Sequence, residues 1–96
     1  MSTTTDSRKA AQDRIRALIT LIERQPPSDT RTKLIEEGEA LARAVAAFHL
    51  EGIRFRSYNV DRLLQQGGDA IPAGAVELCA EMRKDLEAAG FHTRSH

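Results

Sequence analysis

The chain has one cysteine, no tryptophan, three phenylalanines, one tyrosine and three prolines in 96 residues, and its 14 Lys and Arg are balanced by 14 Asp and Glu. Each shortage excludes something. A lone Cys79 cannot close an intrachain disulfide, which fits a reducing compartment, and a cytoplasmic protein is expected. Zero net charge removes the bulk attraction that draws a basic domain to nucleic acid or an anionic membrane, so neither is expected as a partner. No apolar run approaches the roughly 20 residues that span a bilayer. The opening MSTTTDSRKA has no hydrophobic segment of the signal-peptide kind, so export by that route is not expected. There is no phosphate-cradling glycine loop, no set of metal ligands and no nucleophile beside a base. A catalytic role and a cofactor are therefore not expected.

What is present is an ordinary globular composition, 41% hydrophobic and 29% charged, in a chain long enough for one core and too short for two. Residues 1–5 read as a disordered tail, 6–91 as a single helical domain and 92–96 as a C-terminal tail. Helical periodicity dominates. Ala11, Ile15, Leu18, Ile19 and Ile22 recur at the spacing that places side chains on one helical face. Asp6 or Ser7 can cap this helix and RQPPSD ends it, after which Ser28 or Asp29 offers a fresh cap.

The next apolar series runs through Leu34, Ile35, Leu41, Ala42, Val45, Phe48, Ile53, Val60, Leu63 and Leu64, and it holds one broad face as far as Gly67-Gly68. Unbroken, it would form a helix of about 38 residues and about 57 Å. A kink near Gly52 would fold it into a four-helix monomer. In the last segment Asp69 can cap and Pro72 suits a first turn. Ala75, Leu78, Cys79, Met82, Leu86 and Ala89 then form a stripe, and LEAAGF reads as a Schellman ending with Gly90 in the left-handed position. The expectation is an all-α chain of three helices with a long central one, packed as a bundle. Two short helices cannot cover that central face, so dimerisation is expected to complete it.

Polar residues interrupt the inner face of the central helix at His49, Gly52, Arg56 and Asn59. A cationic Arg, a titratable His and an amide in one groove have the chemistry to hold a phosphate or carboxylate, and Gly52 leaves room for a ligand or another helix. The same residues also suit packing or an interface between copies, with their stems buried and their tips reaching water or a carboxylate. Elsewhere, His92 and His96 are four apart, but Gly90 has already ended the helix that would align them. Cys79 reads as a small buried hydrophobe. Glu36, Glu37 and Glu39 can pair with Arg43 or Lys33.

The stretch FHLEG resembles the phosphoacceptor motif of histidine phosphotransfer domains, and ELCAEMRKDLEAAG is similar to their next helix. That resemblance implies a four-helix bundle phosphorylated on His49. Glu51 stands where the family has a lysine, and Gly52 sits one residue closer to the histidine. From the residues themselves, the function expected is a non-catalytic interaction module that self-associates or binds a protein partner through helix surfaces. Phosphotransfer or small-anion binding at His49 and Arg56 is the alternative.

Overall fold

The computed structural model describes residues 3–92. Among them are four α-helices and no strand: α1 (Thr3–Glu23), α2 (Asp29–Ala46), α3 (Leu50–Gln66) and α4 (Ala75–Ala88). The all-helical expectation holds, and the count is four rather than three. None of the helices is long and apolar enough to cross a membrane.

Helix α1 begins ahead of the expected caps, so Asp6 lies in its first turn. Ser28 caps α2 as its position suggests, its side chain accepting a hydrogen bond from the Arg31 amide at 3.0 Å. At the other end of the connection, the Arg31 guanidinium donates to the Glu23 carbonyl at 3.1 Å, satisfying an orphan acceptor of α1.

The long central helix does not form. The chain turns at Ala47–His49, at Phe48 rather than at Gly52, and α3 returns along α2. The turn is a Schellman ending: the Phe48 amide donates to the Val45 carbonyl at 3.2 Å and the His49 amide to the Ala44 carbonyl at 2.9 Å. Phe48 occupies the left-handed position of this motif, with φ 55°. Folding the apolar series back on itself lets Leu41 and Val45 of α2 share one core with Ile53, Val60 and Leu64 of α3. That removes the uncovered face from which a dimer was expected.

Helix α4 ends as the sequence suggests. Gly90 has φ 96°, and the Phe91 amide reaches the Leu86 carbonyl at 2.8 Å. Its start differs from the expectation. Asp69 sits in a 3-10 turn (Gly68–Ala70) and caps nothing in α4, while Pro72 precedes the helix. Gly74, with φ 90°, is the residue before the first turn. A left-handed residue cannot belong to a right-handed helix, so α4 cannot begin earlier.

Helix α1 packs most extensively on α4, then on α2; α2 pairs with α3, and the contact between α3 and α4 is thin. A single core runs through all four helices, including Ile15 and Ile22 of α1, Met82 and Leu86 of α4, and Phe91 beyond it. Gly38 allows α1 and α2 to close: a Cβ there would lie 2.9 Å from Cγ1 of Ile19. The radius of gyration is 12.6 Å, close to the ~12.5 Å of a compact domain of this length. The tail expected beyond Phe91 lies outside the described residues apart from His92, which is exposed.

Candidate functional site

The α2–α3 hairpin carries a shallow groove of about 710 Å³ on its outer side. Small residues line it, Ala40 and Ala44 from α2, Ala47 from the turn and Gly52 from α3, together with the longer side chains of Arg43, His49, Glu51, Phe55 and Arg56. Three of the four residues singled out from the sequence therefore meet in one place. Asn59 is buried and does not line the groove.

Their roles differ from those the spacing suggested. His49 is exposed rather than inward-facing. It precedes the first turn of α3 with φ −90° and ψ 90°, and its side chain makes no capping hydrogen bond. Gly52 is where the hairpin closes: a Cβ added to it would sit 3.2 Å from the Ala44 Cβ and 2.6 Å from Nδ1 of His49. The space expected for a ligand or a further helix is thus taken by the facing helix and by the His49 ring. Nη1 of Arg56 lies 3.0 and 3.1 Å from the two carboxylate oxygens of Glu37. The carboxylate expected to pair within α2 instead crosses the hairpin, and the Arg56 charge is largely answered within the fold.

Aromatic placement could not be read from the sequence. Phe48, Phe55 and Tyr58 are more than half exposed, and Leu50 is 42% exposed. The chain holds four aromatic side chains, so three of them stand on the surface around the turn and the outer side of α3. Arg54 and Arg62 belong to the same helix, and among the described residues neither has a carboxylate within ion-pairing distance. Arg56 also lies 5.1 Å from the Phe55 ring centroid.

Phe48 has its own partners. The Arg8 guanidinium lies 4.2 Å above its ring, and Nη1 of Arg8 is 3.5 Å from the Val45 carbonyl. The Phe48 and Phe91 rings are 5.9 Å apart at 47°. One cation thus covers the exposed carbonyl end of α2 and the aromatic residue that terminates it.

Elsewhere the chemistry is quiet. Cys79 is buried in the core, where loss of hydration and, secondarily, the Asp61 carboxylate push its thiol up to about 11, against the lowering influence of Arg83. It is protonated at neutral pH and has no nucleophilic character. Among the described residues no group of three acidic, His or Cys side chains is placed to hold a metal ion; His96 lies outside them. Compared with protein-family models, curated proteins and solved structures, the chain matches none.

Proposed function

We propose that this chain is a non-catalytic interaction module that docks a protein partner on the outer face of α3, and that the partner segment is apolar and acidic. The observation that carries the reading is the exposure of Leu50, Phe55 and Tyr58 in a chain with few aromatic residues. Large apolar side chains in water are costly to keep at about 25 cal/mol per Å², and aromatic and Arg side chains dominate the energetics of protein interfaces. Arg54 and Arg62 supply unanswered positive charge beside the apolar contacts, which favours carboxylates on the partner and an association rate that falls with salt.

The alternative, an anion or phosphoryl site at His49 and Arg56, has less support. Arg56 would have to leave Glu37 to serve a ligand, and Glu51 adds a like charge at the rim of the groove.

The test is site-specific photo-crosslinking in cells from position 55 or 58, with the exposed position 84 of α4 as control. The reading expects a discrete protein adduct from 55 and 58 that is absent from 84 and lost when Arg54→Glu and Arg62→Glu are added. An adduct with a second copy of the chain would assign the face to self-association. Equal labelling from all three positions, or none, would sink the proposal.

A further inference from the structure

The turn between α2 and α3 contains no residue that requires it. Ala46, Ala47, Phe48, His49 and Leu50 include neither glycine nor proline, and the apolar face of α2 continues in phase into α3. Phe48 nevertheless holds φ 55°, where the Cβ of an L-residue crowds the next carbonyl and where glycine or asparagine is the usual occupant. The local sequence favours a straight helix here, while tertiary contacts impose the turn: Arg8 over the Phe48 ring, Arg8 on the Val45 carbonyl, and Phe91 against Phe48.

We propose that Ala47–His49 is a swap hinge and that a second copy of this chain is its partner. When the hinge straightens, α2 runs into α3 as one helix of about 57 Å. The α3–α4 half of each copy then packs on the α1–α2 half of the other. The contacts between α1 and α4 and between α2 and α3 are remade across the two copies, including Arg14 with Asp85 and Arg56 with Glu37. No new complementary surface is needed. Straightening gives up the contacts of Phe48 with Arg8 and Phe91; against that it releases two left-handed phenylalanines and completes helical hydrogen bonds through both hinges. Short hinges under strain are the setting in which such an exchange costs least.

A matched pair of variants isolates the backbone. Phe48→Gly and Phe48→Ala lose the same ring contacts with Arg8 and Phe91. They differ because glycine accepts positive φ and weakens a continuous helix, whereas alanine does the opposite. Each variant is refolded from denaturant at high micromolar concentration, with helicity checked by circular dichroism and mass by light scattering. Two hinges open per dimer, so the dissociation constant of the Ala variant is expected to be about 100-fold or more below that of the Gly variant, with the wild type forming dimer on the same treatment. Should Phe48→Gly not fold, a Gly-Gly insertion after Phe48 replaces it and is expected to abolish the wild-type dimer.

Geometry within the dimer is read from spin labels at Glu36→Cys and Arg62→Cys in a Cys79→Ala background, diluted with unlabelled chain. The distance within one chain is expected to rise from under about 20 Å in the hairpin to about 39 Å in a continuous helix. A dimer that keeps the short distance, equal dissociation constants for the Gly and Ala variants, or an Ala variant that stays monomeric overturns the proposal.

Discussion

Nε of Arg14 in α1 lies 2.6 Å from Oδ2 of Asp85 in α4, and Nη1 of the same arginine contacts Glu81 one turn earlier. One guanidinium thus ties the middle of the first helix to the second half of the last. Arg14 is 37% exposed and Asp85 22%, so water screens the pair and its value falls short of a buried one. A double-mutant cycle with Arg14→Ala and Asp85→Ala is expected to give a coupling of about 0.5–1 kcal/mol, shrinking in 1 M salt. A coupling of zero at low salt would show that the contact adds nothing to stability.

Ser57 is fully buried in α3, and its hydroxyl has no hydrogen-bond partner. Burying an unanswered hydroxyl costs about 1–3 kcal/mol on mutational scales. Ser57→Ala removes that cost and improves helix propensity. It is expected to raise the midpoint of urea denaturation, by about 1 kcal/mol in stability. A destabilised variant would mean that the hydroxyl is satisfied after all.

The Cys79 thiol, raised from 9.0 to about 11, makes stability fall with alkaline pH. Between these values the unfolded chain has lost the thiol proton and the folded chain keeps it, so the unfolded state binds fewer protons and stability declines as pH rises. The contribution is present below about pH 9 and lost towards pH 11, up to about 2–3 kcal/mol. The difference in stability between wild type and Cys79→Ala, followed by denaturant titration from pH 8 to pH 11, is expected to shrink accordingly. A constant difference would contradict it.

Gly90→Ala places a Cβ on a backbone with φ 96°. It is expected to destabilise by about 1–2 kcal/mol, chiefly by loosening the last turn of α4 and the Phe91 amide bond to Leu86. Thermal denaturation of the variant measures this, and an unchanged midpoint would show that the ending adjusts without strain.

Much of the fold is legible in the sequence because apolar periodicity reports which face of a helix is buried. Ile15, Leu18 and Ile22, Leu41 and Val45, and Cys79, Met82 and Leu86 all lie in the core. Ser28 and Gly90 act where their chemistry suggests. The turn at Phe48 was not legible, since a phenylalanine in the left-handed position gives no signal and Gly52 nearby offers a false one. Glu37 and Arg56 are separated by the turn, so their pairing follows only from where the chain reverses. Asp69 was misleading for a similar reason: two left-handed glycines, Gly68 and Gly74, surround it and delay α4. Within the candidate site, His49, Gly52 and Arg56 line one groove, but His49 lies ahead of α3 and faces solvent rather than sharing an inner helix face, and exposure of Phe55 and Tyr58 depends on which side of α3 the rest of the chain leaves uncovered.

The most extensive packing in the molecule joins α1 to α4, the first helix to the last. Contacts between segments so far apart in sequence must be closed against the entropy of the whole intervening chain, whereas the α2–α3 hairpin closes over three residues. The turn that makes the hairpin is itself held by Arg8 of α1 and by Phe91 beyond α4, so the hairpin and the core around Ile15 and Met82 are completed together, when the two outer helices meet. Substitutions where α1 faces α4 are accordingly expected to slow refolding in stopped-flow measurements as well as to lower stability.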